Sequence, residues 1–272
     1  MGSNELIERM DEIARKAGGL LLSRASEDLR VSRKNGHELV TAVDLESQEM
    51  LRKDLQELRP EAAFLGEEGW EGEVPPPPLW VVDPLDGTNN YAHGYPVYCV
   101  SIAYVDPRGA LAGCVFDPNR DESFTAVRGE GSFLNGEPAR TTRVDRLDNA
   151  ILATGFPYHR KVEGLGVSLE PLWYFLAHVD GIRRGGSAAL DLCYVACGRL
   201  DGFWEEHLQP WDMAAGVLMV TEAGGKVSDV EGGGWNLGSR GVIASGPMLH
   251  DKIEAGVDRD VDTGFRPSNR DS

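Results

Sequence analysis

The stretch Leu79-Trp80-Val81-Val82-Asp83-Pro84-Leu85-Asp86-Gly87-Thr88 decides how the chain is organised. Its four leading apolar residues predict a strand buried in a sheet, ending at Asp83. Pro84 and Gly87 shape a tight turn that brings Asp83, the Leu85 carbonyl and Asp86 to one side, at a sheet edge where loops carry sites. The Gly87-Thr88 amides then open a short helix, and exposed amides at a helix start favour a phosphate. A hard divalent ion such as Mg²⁺ takes several oxygens at roughly 2.0–2.1 Å in octahedral arrangement. A cation seat and an anion seat within six residues together predict a metal–phosphate site.

The surrounding chain supplies the scaffold. Leu6, Ile7, Met10, Ile13, Ala14, Ala17, Leu20 and Leu21 recur at helical spacing over residues 4–24, a pattern that Gly18-Gly19 weakens. Ser32 to His37 reads as a polar turn, and a second helix is expected from about Val43 to Leu58, closed by Pro60. Pro75 to Pro78 form an extended spacer. Val97–Val105, Ala110–Phe116 and Glu122–Val127 are strands at short spacing, and Asp106-Pro107-Arg108-Gly109 has hairpin-turn chemistry. The middle therefore reads as an antiparallel sheet with the two early helices packed on it. Beyond residue 146 strands at 150–153, 202–204 and 242–244 alternate with helices at 168–178, 187–198 and 212–223, which predicts a layered α/β half. The expected division is residues 1–146, an α+β part with most of the acidic stations, and 147–272, an α/β part. The polar tail from about Val257 is expected to fray.

Composition narrows the function. The 272 residues carry 44 acidic and 27 basic side chains, a net charge of −17, which argues against a general nucleic-acid surface. No apolar run approaches the ~20 residues needed to span a bilayer. The N-terminus lacks the basic and apolar regions of a signal peptide, so a cytoplasmic protein is expected. Cys99, Cys114, Cys193 and Cys197 include no CxxC pair, and the six histidines show no zinc spacing. Any metal is expected among oxygens.

Two further acidic stations accompany the first: Gly66-Glu67-Glu68-Gly69 and Trp211-Asp212-Met213-Ala214-Ala215-Gly216. Taken singly, Asp86 and Asp212 read as helix N-caps and Glu67-Glu68 as a solvated loop. Together, GEEG (66–69), WVVDPLDGTNNYAHGYP (80–96), GGSAALDLCYVACGRLDGFWE (185–205) and PWDMAAG (210–216) closely resemble the inositol monophosphatase family, within the lithium-sensitive, Mg²⁺-dependent phosphatase superfamily. The resemblance runs from about Leu6 to Ile243. It implies a layered αβαβα sandwich of the inositol monophosphatase and fructose-1,6-bisphosphatase type, α+β with an α/β second half, and a homodimer.

Carried over residue by residue, the resemblance implies that Glu67, Asp83 and the Leu85 carbonyl bind a first Mg²⁺, and Asp83, Asp86 and Asp212 a second. Glu67 helps hold a third, weaker ion, Glu68 supports the cluster, and Mn²⁺ is an acceptable substitute. Thr88, hydrogen-bonded to Asp44, orients the attacking water, and the Gly87 and Thr88 amides contact the phosphate. Asp86 and Asp212 also face the substrate. Gly186, Ser187 and Ala188 line its pocket, Glu205 binds a sugar-like hydroxyl with Glu206 in reserve, and Lys34 lies on a mobile loop that closes over the metals. Arg183-Arg184 face either the substrate or a subunit interface.

Phosphate monoester hydrolysis is slow enough to need up to about 10²¹-fold acceleration, and two metals roughly 3.5–4 Å apart suit that task. No Cys or Ser stands in a nucleophile motif, so direct attack by water is expected without a covalent intermediate. The expected reaction is hydrolysis of a small phosphorylated polyol, myo-inositol monophosphate first. The rivals are fructose 1,6-bisphosphate, 3′-phosphoadenosine 5′-phosphate and histidinol phosphate on the same scaffold; Lys161, Arg183 and Arg184 keep the bisphosphate open. A regulatory protein binding transcription machinery is the alternative of a different class.

Overall fold

The computed structural model describes residues 2–25, 31–34, 38–157 and 169–258, with 31–34 and 38–41 as backbone only. Helix α1 (Ser3–Arg24) buries Leu6, Met10, Ile13, Ala14, Ala17 and Leu21 along one stripe. It runs through Gly18 because a Cβ there would stand 2.5 Å from the Phe116 ring; the glycine lets the helix lie close on the sheet. Strands β1 (Val31–Lys34) and β2 (Glu38–Thr41) pair antiparallel, so Ser32 to Lys34 are strand and not the expected polar turn; residues 35–37 lie outside the described residues. Helix α2 (Ala42–Leu58) follows directly.

The larger sheet takes seven strands in simple order: β3 (Ala63–Gly66), β4 (Leu79–Asp86), β5 (Cys99–Asp106), β6 (Gly109–Asp117), β7 (Glu122–Val127), β8 (Gly131–Leu134) and β9 (Glu137–Pro138). Only β3–β4 is parallel; the short helix α3 (Thr88–Ala92) leads from β4 toward β5. β4 does not end at Asp83 but stays paired and buried through Asp86, with a register shift between the two acids: Asp83 faces Ser101 and Asp86 faces Cys99. Three steps along β4 therefore match two along β5. In a regular strand, residues three apart point to opposite faces; one extra residue brings both carboxylates to the same one.

The second sheet has the order β11 (Gly181–Arg183), β10 (Ile151–Thr154), β12 (Gly202–Glu206), β14 (Gly241–Ser245), β13 (Lys226–Ser228). Its helices are α4 (Glu170–His178), α5 (Ala188–Ala196), α6 (Pro210–Glu222) and α7 (His250–Val257). α1 and α2 cover one face of the larger sheet, α5 and α6 fill the space between the sheets, and α4 and α7 cover the outer face of the second. This is a five-layer αβαβα sandwich. The middle layer is the most buried: α5 hides all but one of its nine residues, and α6 buries ten of its thirteen. Such helices are apolar on every side because both faces meet a sheet.

The expected strands and helices of both halves are present within a few residues. β3, β8, β9, β11, β13 and α7 went unread because each is short; the tail from residue 259 lies outside the described residues. All four cysteines are free thiols. No helix among the described residues is long and apolar enough to cross a membrane.

α7 is anchored by His250, buried with its two ring nitrogens each 3.1 Å from a serine hydroxyl, Ser245 Oγ and Ser228 Oγ. Burial pushes its pKa below the usual 6.5, and Lys226 adds to this against the pull of Glu254 and Asp251. The folded chain thus binds this proton less readily than the unfolded one. The contribution to stability is present above the unfolded value and lost as pH falls through the folded one. A His250→Gln variant is expected to show a smaller drop in urea midpoint between pH 7.5 and 5.5 than the parent chain. Equal drops would exclude His250 as a source of acid lability.

Candidate active site

A cleft of about 420 Å³ opens where the bulge of β4, the first turn of α3, the end of β12 and the start of α6 meet. Glu67, Asp83, Leu85, Asp86, Gly87, Thr88, Gly186, Glu205 and Asp212 all line it, although their positions span some 145 residues. Asp83, Asp86 and Asp212 each offer a carboxylate oxygen within 4.8 Å of the others. Glu67 enters beside them from the loop after β3, near enough to act electrostatically on Asp83.

Each of the three aspartates is held by the main chain. Asp83 Oδ1 accepts the Leu85 N–H at 2.9 Å. Asp86 Oδ2 lies at the start of α5, accepting the Ala189 N–H at 2.8 Å and the Ser187 hydroxyl at 2.6 Å, with the Cys99 thiol at 3.8 Å. Asp212 completes a capping box: its Oδ2 accepts the Gln209 N–H at 2.7 Å while the Gln209 side chain accepts the Asp212 N–H. Such bonds fix rotamers before any ligand arrives.

The electrostatics call for a cation. Burial raises the Asp83 pKa far above the ordinary carboxylate value, and the charges acting on it, Glu67, Asp86 and Asp212, are all negative and raise it further. Asp86 is also raised by burial, an effect its donors from α5 and Cys99 oppose. Buried like charges at this spacing are strongly unfavourable without a counter-ion. An oxygen-only set of converging carboxylates suits a hard divalent ion such as Mg²⁺, so the residues present fit the expected metal.

Beside the acids, Thr88 Oγ1 stands 3.0 Å from both Asp44 Oδ1 and the Leu85 carbonyl. Asp44 is fully buried, so the expected Asp44–Thr88 contact is formed from two segments 44 residues apart. Gly87 adopts φ +98°, and a Cβ on it would stand 2.8 Å from the Val97 carbonyl, so glycine alone lets the chain turn there into α3.

The residues expected to line a substrate pocket are placed differently in part. Gly186 lines the cleft, whereas Ser187 and Ala188 are buried behind it, and Ser187 reaches the site through Asp86. Glu68 is likewise buried near the cleft without lining it. Glu205 and Glu206 both line the cleft. Glu205 packs over Gly155, where any Cβ would sit 2.0 Å from its Oε2; Glu206 lies 3.9 Å from His207. Burial raises the Glu205 pKa strongly, opposed by Arg184 and reinforced by Asp191, Asp212 and Asp86. Of the basic pair, both exposed, Arg184 lies toward this region and donates to the Phe156 carbonyl at 3.3 Å, while Arg183 bonds the neighbouring Ile182 carbonyl. Lys161 and the side chain of Lys34 lie outside the described residues.

Sequence reasoning missed several residues. Trp70, Phe156, Gln209 and Arg240 line the cleft, and Arg240 donates to Gln209 Oε1 at 2.7 Å. Asn90 ties α3 to the Gly185 and Val97 carbonyls at 2.9 and 2.7 Å. Asn90 had a readable signal, its place in the first turn after the acidic station. Gly155 had none, since its partner Glu205 is 50 positions away.

The inositol monophosphatase family model matches residues 3–261. The inositol-1-monophosphatase of Rhizobium meliloti is 39% identical over 265 residues, 96% of this chain and 99% of its own. The Nus factor SuhB of Pseudomonas aeruginosa is 43% identical over 226 residues, 80% of this chain and 83% of its own. The crystal structure of the extragenic suppressor protein suhB from Bartonella henselae superposes with a TM-score of 0.88 at 41% identity, covering 94% of this chain and 100% of that one. Sandwich, cleft and likeness together define a phosphoric monoester hydrolase. The chain belongs to the inositol monophosphatase family.

Proposed function

We propose that this chain hydrolyses a small phosphorylated polyol, myo-inositol monophosphate before others, by direct attack of water and with Mg²⁺ as cofactor. The observation that carries the proposal is the meeting of Asp83, Asp86 and Asp212 within 4.8 Å in the cleft that also holds Thr88 and Glu205. Asp83, Asp86, Asp212 and Glu67, with the Leu85 carbonyl, would hold two to three ions, Mn²⁺ being an alternative. When bound, the ions neutralise phosphoryl oxygens, make water a stronger nucleophile and stabilise the departing alkoxide.

The protein groups do the rest. Thr88, with Asp44 as acceptor, orients the attacking water and holds its proton in a defined direction. The Gly87 and Thr88 amides at the start of α3 donate to a phosphoryl oxygen. Glu205 accepts a hydroxyl of the polyol, which fixes the ester bond in line with the water. Glu68 and the Ser187–Asp86 bond keep the acidic cluster in place.

The cleft volume suits a single sugar-sized ligand. Among the described lining residues Arg240 is the one arginine, and there is no lysine, which disfavours a second phosphate. Parallel kinetics with Mg²⁺ on inositol 1-phosphate, fructose 1,6-bisphosphate, 3′-phosphoadenosine 5′-phosphate and histidinol phosphate are expected to give the highest kcat/KM for the first. A higher value for any of the other three would replace the substrate proposed here.

A further inference from the structure

The buried face of α2 carries polar residues at Asp44, Ser47 and Gln48, on an element whose other buried positions are Val43, Leu51 and Leu55. Spacings of three and four put them on one side of the helix. Each grips a different segment of the cleft. Asp44 accepts the Thr88 hydroxyl, and Ser47 Oγ donates to the Pro84 carbonyl at 3.1 Å. Gln48 makes the tightest hold: its Oε1 accepts the Glu68 N–H and its Nε2 donates to the Glu68 carbonyl, both at 2.8 Å.

One amide bonded to both main-chain groups of one residue fixes two successive peptide planes. The first of these joins Glu67 to Glu68, so the direction in which Glu67 leaves the chain depends on it. The loop is shaped around this clamp. Gly66, one residue before Glu67, leaves the room that the Gln48 amide occupies; a Cβ at 66 would stand 2.3 Å from Gln48 Oε1. Gln48 is itself buried. An apolar residue would fill that space but take this partner from the Glu68 N–H and carbonyl, so the amide matters for what it bonds and not only for its volume.

We propose that Gln48 is a positioning residue for the metal site, acting through the Glu68 main chain to aim Glu67 at the cation shared with Asp83. The proposal rests on the reading of Glu67 and Asp83 as ligands given above. Asp44, Ser47 and Gln48 then make α2 a single brace for the loop after β3, the bulge of β4 and the start of α3.

The test uses the full chain, with Mg²⁺ as probe and calorimetric titration as readout. Gln48→Met keeps the length of the side chain and removes both hydrogen bonds. It is expected to unfold cooperatively in chelator like the parent, to exchange its Glu68 amide hydrogen faster, and to bind Mg²⁺ roughly 10–100-fold more weakly. Gln48→Glu keeps the acceptor for the Glu68 N–H and loses the donor, and its affinity is expected between the two. A folded Gln48→Met chain that binds Mg²⁺ within about twofold of the parent overturns the proposal, since displacing a group behind a ligand weakens binding by more than that. So does a Gln48→Met chain that is unfolded in chelator, which makes the residue a stability element. A parent chain whose Mg²⁺ titration matches that of Asp83→Asn overturns the metal reading itself, and that failure is separate from the other two.

Discussion

Asp83→Asn is expected to lower Mg²⁺-dependent turnover by on the order of 10³-fold or more, and to make the metal-free chain more stable than the parent. The two effects share one cause. Asp83 is buried with Glu67, Asp86 and Asp212 as its charged neighbours, so its charge is unfavourable until a cation arrives. Asparagine preserves the shape and still offers an oxygen to the Leu85 N–H. Removing the buried repulsion is expected to stabilise the fold by roughly 1 kcal/mol, about 2–4 °C in a domain of this size. In the parent, Mg²⁺ at 100 times its dissociation constant is expected to stabilise by about 2.7 kcal/mol, a gain the variant would forgo. The order of thermal midpoints should therefore cross: variant above parent in chelator, parent above variant in Mg²⁺. Thermal scans of both chains under both conditions check this. A variant that keeps the Mg²⁺-dependent rise, or melts lower in chelator, would remove Asp83 from the metal site.

Gly155→Ala should lower kcat/KM for a phosphorylated polyol roughly 10–100-fold, the equivalent of a charged hydrogen bond of about 1.5–3 kcal/mol. Gly155 follows the last residue of β10, whose Thr154 pairs with Trp204, so it sits directly across from Glu205. The new methyl would lie 2.0–2.1 Å from the carboxylate atoms. The carboxylate is the mobile end of a side chain, so it swings away and the backbone stays. The loss is expected mainly for substrates that present a hydroxyl to Glu205; p-nitrophenyl phosphate, which has none, should be affected far less. Because both substitutions remove one interaction, Gly155→Ala combined with Glu205→Ala should be no worse than Glu205→Ala alone. Equal losses on both substrates, or additive losses in the double variant, would place the polyol elsewhere.

Much of the protein was legible in its sequence because the signals are local. A helix such as α1 announces itself in the 3.6-residue recurrence of Leu6, Met10, Ile13 and Ala17, and β4 in an unbroken apolar run. The acids were recognisable as stations because each lies beside turn or capping residues, and their order matched a known family. What was not legible depends on distance across the fold. Gln48 reads as an ordinary helix residue until the Glu68 main chain is seen against it, and Gly155 as a strand end until Glu205 lies over it. Ser187, expected on the pocket wall, lies behind it and bonds Asp86, because the first turn of α5 closes over that carboxylate.

By itself, then, the amino-acid order determined which segments become helices and strands, the layered class they assemble into, and which carboxylates to look for in the cleft. Hydrophobic period and turn chemistry are properties of neighbours along the chain. The tertiary structure alone decided how those carboxylates are aimed. Asp83 and Asp86 share a face because pairing with β5 admits one extra residue between them, and Asp212 joins them because α6 starts beside that bulge between the two sheets. Register and packing are set by partners far away in sequence, and a strand read alone has neither.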